Sequence, residues 1–217
     1  TGTADSARIG IEKHIPVAAG LGGGSSDAAA TLVGLNRLWD LNLGAEELTS
    51  MAAELGSDVP FFVHGGTAIV LGRGEQVRTL PPADLPWLVL LAPKTNLSDK
   101  TASMYSALSH SSYTRGALTR KLEARIRGHG DVPAQFLFNA FDEVAQTVLP
   151  ETSKPREAFE SIGAGEIHLA GSGPTLFAMV ASKEVGTAMQ LLLSERYGWP
   201  AFLVSAWQPP EGTPWER

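Results

Sequence analysis

The sequence predicts an α+β chain in two lobes. Stretches that alternate every second residue are interspersed with stretches of helical period. A strand pair joined through Gly72 and Gly74 reads as an antiparallel hairpin, and a strand–helix–strand unit closes the chain. Pro81, Pro82 and Pro86 crowd the stretch between the two halves and mark a linker, so the expected lobes are residues 1–84 and 85–217.

The elements follow in order. Ile9, Ile11 and Ile15 alternate with polar neighbours, predicting a half-buried strand over Ala7–Ile15 that Pro16 ends. A glycine-rich turn leads into a helix over Ser26–Trp39, with Ala28, Leu32, Leu35 and Trp39 on its apolar face and Ser25, Ser26 or Asp27 as its cap. A second helix spans 45–55, with Glu46 and Glu47 at its positive end, Leu48, Met51, Ala52 and Leu55 facing inward, and Gly56 as its stop. The hairpin covers 67–80. Trp87–Leu91 reads as a fully buried strand, 97–127 as helical pieces, and Glu143–Val148 as a helix stopped by Pro150. Strands at Ile167–Ala170 and Leu176–Val180 flank Gly171-Ser172-Gly173-Pro174. A helix over Ser182–Arg196 burying Val185, Ala188, Met189 and Leu192 then leads to a strand at Ala201–Ala206.

Composition excludes several classes of function. The 217 residues carry 17 Lys and Arg against 23 Asp and Glu, a net charge of −6, where nucleic-acid binders usually carry a basic surplus. No cysteine is present, which removes disulfides, zinc–thiolate sites and thiol nucleophiles and suits a reducing cytoplasm. The longest apolar run, Trp87–Ala92, is far short of the ~20 residues of a spanning helix. Neither a nucleic acid nor a membrane is an expected partner, and the location expected is cytoplasmic. The chain starts at Thr1 without a signal-peptide pattern, and a missing upstream segment is expected.

The strongest local signal is Gly20-Leu21-Gly22-Gly23-Gly24-Ser25-Ser26 running straight into a helix. Glycines let the backbone turn and approach a ligand closely, and the first amides of a helix lack internal partners and face its positive dipole end. Together these suit a phosphate group. Ser25 or Ser26 can add a hydroxyl donor or a magnesium ligand. The run is not a Walker loop, because no Gly-Lys-Ser/Thr follows, and Ser25 takes the third glycine position of the dinucleotide fingerprint. A plain glycine-rich turn is the alternative. By spacing alone Asp58 reads as a turn or capping aspartate. Lys13 reads as a strand lysine, Tyr105 as a helix-packing aromatic, Gly171–Gly173 as a tight turn, and Asn139 as a surface or capping residue. Arg115, Arg120, Lys121, Arg125 and Arg127 form a solvated face or lend positive potential to an anionic substrate.

Pro16-Val-Ala-Ala-Gly-Leu-Gly-Gly-Gly-Ser-Ser-Asp-Ala-Ala resembles the phosphate-binding motif of the GHMP small-molecule kinases. Leu55-Gly-Ser-Asp-Val-Pro-Phe-Phe and His168-Leu-Ala-Gly-Ser-Gly-Pro-Thr are similar to two further blocks of that family, in the right order. The triple glycine followed by Ser-Ser-Asp-Ala is most similar to the branch acting on 4-diphosphocytidyl-2-C-methyl-D-erythritol in isoprenoid precursor synthesis. The resemblance implies a two-lobed GHMP fold, with a ribosomal-protein-S5-like first lobe lacking its start and a ferredoxin-like second lobe. It implies ATP as phosphate donor, Mg²⁺, and a small-molecule alcohol as substrate. It implies Asp58 as the catalytic base; the apolar neighbours Val59, Phe61 and Phe62 are expected to limit water access to it. Lys13, Pro16, Val17, Ala18, Ala19, Gly20, Leu21, Gly22, Gly23, Gly24, Ser25 and Ser26 are implied around ATP, Gly171, Ser172 and Gly173 as support for the phosphate loop, and Tyr105 as a stacking platform for cytosine. Family members carry a lysine-bearing block ahead of the position of Thr1 that this chain lacks. A mevalonate- or homoserine-type kinase, or a non-catalytic nucleotide-binding fragment, is the alternative.

Overall fold

A computed structural model of the chain describes residues 6–95, 97 and 99–207. These form two compact units, one of residues up to 17, 22–82 and Trp207, the other of residues 18–21 and 83–206. The boundary after Pro82 falls within the proline-crowded stretch, while Ala18–Leu21 and Trp207 each group with the unit on the other side of it in sequence.

In the first unit, helix α1 (Gly23–Leu38), helix α2 (Ala45–Leu55) and the short helix α3 (Val59–His64) enclose a core of Ala29, Val33, Leu48, Ala52, Val59 and Val63. Helix α1 starts three residues before its expected start. Its cap is Gly22 in the left-handed region (φ 67°), with no side-chain cap, so neither Ser25, Ser26 nor Asp27 caps it. A left-handed backbone turn does the work there. The buried positions of α1 are Gly23, Ala29 and Val33, one step away in phase from the expected face. Helix α2 has the expected bounds; Glu47 accepts a hydrogen bond from the Gly44 amide at 2.9 Å, whereas Met51 and Leu55 are exposed rather than inward. Strands β1 (Thr67–Leu71) and β2 (Gln76–Leu80) form the expected hairpin in antiparallel register, Thr67 opposite Leu80.

Ala7–Ile15 is not a strand. Among the described residues nothing pairs with it, and Ile9 and Ile11 are 56% and 62% exposed. Alternation proposes a strand, but only a neighbour's ladder makes one.

The second unit is built on a four-stranded antiparallel sheet in the order β4–β5–β3–β6, comprising β3 (Trp87–Leu91), β4 (Ile167–Leu169), β5 (Leu176–Val180) and β6 (Ala201–Val204). Central β3 pairs Leu91 with both Leu176 and Ala201. Helices α4 (Lys100–Ala107), α5 (Ala117–Arg127), α6 (Asp142–Val148), α7 (Ser153–Ser161) and α8 (Lys183–Leu191) accompany the sheet. The core gathers Val89, Leu91, Met104, Leu149, Phe159, Leu169, Leu176 and Leu193. Helix α8 buries Gly186 and Met189, followed by Leu193 in a π-helical turn; Val185, Ala188 and Leu192 are exposed, again a phase difference from the expectation. Gly186 explains it: a Cβ there would stand 2.4 Å from Leu203 Cδ1, so the helix lies close on β6 through its glycine. Helix α7, with Pro155 in its first turn, was not expected from the sequence. No helix among the described residues is long and apolar enough to cross a membrane.

Candidate functional site

The glycine loop can be followed residue by residue. Pro16 is half-buried, Val17 exposed, and Ala18 adopts a left-handed backbone (φ 57°). Ala19 is buried, and its carbonyl accepts from the Thr175 amide at 3.3 Å. Gly20 (φ 78°) leaves no space for a side chain, since a Cβ would lie 2.5 Å from the Ala170 carbonyl oxygen and 2.6 Å from that of Gly173. Conversely, a Cβ on Gly171 would lie 2.9 Å from the Gly20 carbonyl oxygen. The structure thus brings Ala19 and Gly20 onto the Gly171–Gly173 turn, two stretches about 150 residues apart in sequence, in backbone contact that only glycines permit.

The second half of the loop opens α1. The first backbone bond of the helix runs from the Ser26 amide to the Gly22 carbonyl at 2.9 Å, which leaves the amides of Gly23, Gly24 and Ser25 ahead of the ladder. The ring of Phe62 from α3 would meet a Cβ on Gly22 at 2.7 Å, and Lys13 Nζ one on Gly23 at 3.0 Å. Gly24 is exposed with open space around it. The free amides, a dipole end and a lysine ammonium therefore share one small region. Lys13 also forms an ion pair with Asp27 on the first turns of α1, a partner the sequence reading assigned only to capping.

The Ser26 hydroxyl donates to the Gly23 carbonyl at 2.8 Å. A hydroxyl that donates keeps its lone pairs. No cluster of three or more His, Cys, Asp or Glu side chains placed to hold a metal exists among the described residues.

Asp58 occupies the N-cap position of α3 (φ −93°, ψ −13°), yet its carboxylate makes no capping hydrogen bond and is exposed. The expectation that Val59, Phe61 and Phe62 shield it from water is not met: Val59 and Pro60 turn into the core and the two phenylalanines, edge to face at 5.1 Å, are half-buried. A helix start presents its cap residue outward while its first apolar turn packs. Helix α3 packs against both α1 and α2, so the turn carrying Asp58 and the start of α1 belong to one packed body.

Tyr105 on α4 is 59% exposed, its ring edge-on to Phe141 at 4.9 Å, which leaves a ring surface open to solvent. Two residues not singled out as functional in the sequence reach the Gly171–Gly173 turn. Asn139 Nδ2 donates to the carbonyls of Leu169 at 2.9 Å and Gly171 at 2.7 Å, and its Oδ1 accepts from the Phe141 amide. Lys100, buried at the start of α4, donates to the Ser172 carbonyl at 3.2 Å, the Ser172 hydroxyl at 3.1 Å and the Gly173 carbonyl. Burial pushes the Lys100 ammonium below the ordinary lysine value, with Glu151 pulling the other way. Within the basic stretch, Arg125 pairs with Asp131, Arg127 with Glu123 at 3.0 Å, and Arg120 donates to the Arg115 carbonyl, the pattern of a solvated helix face.

Comparison with known proteins places the chain among relatives by sequence and by fold. Residues 1–66 match the family model of the GHMP kinases N terminal domain. A 4-diphosphocytidyl-2-C-methyl-D-erythritol kinase of Dehalococcoides mccartyi is 44% identical over 200 residues, covering 92% of this chain and 70% of that protein. One of the same name from Shouchella clausii is 41% identical over 176 residues, covering 81% of this chain and 59% of that protein. The crystal structure of a 4-(cytidine 5'-diphospho)-2C-methyl-D-erythritol kinase superposes with a TM-score of 0.72 at 27% identity, over 88% of this chain and 68% of that one. A homoserine kinase from Cytophaga hutchinsonii, at 16% identity and TM-score 0.67 over 89% of this chain and 68% of that one, shares the fold. By its sequence blocks, its fold and these relatives, the chain belongs to the GHMP kinases, in the family of the 4-diphosphocytidyl-2-C-methyl-D-erythritol kinases.

Proposed function

We propose that the protein transfers the γ-phosphoryl group of ATP to the 2-hydroxyl of 4-diphosphocytidyl-2-C-methyl-D-erythritol. The observation that carries this reading is the 44% identity to kinases of that name over 92% of the chain. The site chemistry supports it. The amides of Gly23, Gly24 and Ser25 donate to phosphate oxygens, Pro16–Gly22 wrap the phosphate tail, and Lys13 adds positive charge beside them. Gly171, Ser172 and Gly173 back the loop through Gly20.

The exposed carboxylate of Asp58 orients the substrate hydroxyl and accepts its proton. As the alcohol oxygen bonds to the γ-phosphorus, the bond from that phosphorus to the β–γ bridging oxygen breaks and ADP leaves. The open ring surface of Tyr105 stacks on cytosine. The Ser25 or Ser26 hydroxyl would hold Mg²⁺, which would supply charge neutralisation on the phosphates, since magnesium on a nucleotide takes most of its oxygens from phosphate and water. The cysteine-free composition and the water-soluble substrates accord with a cytoplasmic location.

The test is turnover. The protein carrying this chain is incubated with Mg-ATP and, separately, with the cytidine-linked alcohol, homoserine or mevalonate, and products are read by ³¹P NMR. A new phosphomonoester on the cytidine-linked alcohol alone is expected. Phosphorylation of another alcohol instead overturns the substrate, and ATP binding without turnover on any overturns the enzyme.

A further inference from the structure

Lys100 is a buried lysine outside the machinery described above, only 6% exposed. A buried ammonium is costly unless its three donors are satisfied. Here all of its hydrogen bonds go to one place, the Ser172–Gly173 backbone and the Ser172 hydroxyl, more than 70 residues away in sequence. Thr101, the next residue of α4, meets the same hydroxyl at 3.2 Å. The Gly173 carbonyl that accepts from Lys100 is also the atom 2.6 Å from the Cβ position of Gly20. One oxygen is therefore held on one side by a lysine and on the other sits where only a glycine can pass. Asn139 pins the far end of the turn at the Gly171 carbonyl.

We propose that Lys100 is a positioning residue for nucleotide binding: it clamps the Gly171–Gly173 turn so that the turn supports Gly20 and the phosphate loop in its binding shape. The inference rests on the kinase reading and deepens it. A neutral side chain at 100 leaves the Ser172 and Gly173 carbonyls without this donor, and the turn no longer has one fixed place against Gly20. Loss therefore falls on ATP affinity rather than on the proton transfer at Asp58.

The test compares Lys100→Met with Phe159→Leu, a substitution in the fully buried core of the same unit. Kd for ATP, KM for the alcohol, kcat and Tm are measured in the protein carrying this chain. Lys100→Met is expected to raise Kd for ATP about tenfold or more, the effect of losing one buried charged hydrogen-bond donor, while KM for the alcohol stays near its starting value. Phe159→Leu is expected to lower Tm at least as much and keep ATP affinity. Unchanged ATP affinity in Lys100→Met overturns the proposal, and so does an equal loss in both variants, which marks general destabilisation. Should Lys100→Met fail to fold, Lys100→Gln, which retains a donor on a shorter stem, is judged by the same criteria. Failure of the unsubstituted protein to bind ATP is the separate result that removes the kinase reading and this inference with it.

Discussion

Gly74 lies on the backbone of Ser57: a Cβ at Gly74 would stand 1.8 Å from the Ser57 carbonyl oxygen and 2.6 Å from its carbon. That carbonyl belongs to the same planar peptide as the Asp58 amide, so whatever moves one end turns the other. The tip of the β1–β2 hairpin is thus a stop for the turn that carries Asp58. Gly74→Ala is expected to lower kcat about tenfold, with the strain of a φ of +124° costing stability as well. Gly72→Ala is the matched comparison: it too has positive φ, but the nearest atoms to its Cβ belong to the Glu75 carboxyl, the end of a side chain and not the backbone next to Asp58, so stability falls and kcat holds. Equal kcat losses in both variants would remove the connection to Asp58.

Replacing the carboxylate itself tests the base. Asp58→Asn keeps the shape of the α3 N-cap, and the native carboxylate makes no capping bond to lose. Turnover is expected to fall by about a hundredfold or more while Tm holds. Retained kcat is the result that would dismiss Asp58 as base.

Gly24 separates stability from binding. It lies in α1, exposed, with nothing within 4 Å of its Cβ position. Gly24→Ala is expected to stabilise the fold by about 0.5–1 kcal/mol, because alanine restricts the unfolded chain more than glycine does. The same methyl occupies the space beside the free amides, so KM for ATP rises. Thermal melting and ATP titration of one variant check both halves.

Asp142 sets a pH dependence. Burial raises its carboxyl above the ordinary 3.8, against the opposing pull of Arg156 and His168, and its Oδ1 finds no hydrogen-bond partner. The folded state therefore holds this proton at pH values where the unfolded state has released it. The resulting stability is full below the ordinary value and is lost as pH rises through the raised one. Urea unfolding of wild type against Asp142→Asn should show a difference that changes sharply across that window and levels off above it; a constant difference contradicts the assignment.

Tyr105→Ala is expected to raise KM for the cytidine-linked alcohol by about tenfold, the loss of one base-stacking platform, and to leave KM for ATP unchanged. Parallel steady-state titrations of the two substrates distinguish this from a general loss of α4.

Some of this protein is written locally. The hairpin at 67–80 and the bounds of α2 at 45–55 are legible because turn glycines, helix period and a stop residue act over a few positions. The glycine loop running into a helix is legible for the same reason. Phase is harder. The run Leu191-Leu192-Leu193 offers three equivalent candidates for burial, and the structure chooses Leu193. In both α1 and α8 a glycine is a buried contact, a residue that periodicity never scores as core.

Sequence by itself settled the chemistry on offer: free amides at a glycine turn, a carboxylate just past a helix stop, an aromatic on α4, and no thiol. Tertiary structure alone decided which of these are held in place and by what. A strand at Ala7–Ile15 needs a neighbour, and none exists for it among the described residues. Lys100 and Asn139 find hydrogen-bond acceptors in carbonyls 72 and 32 residues away. The physical reason is that turn and helix preferences are summed over adjacent residues, while burial and long-range hydrogen bonds depend on which distant surface arrives opposite.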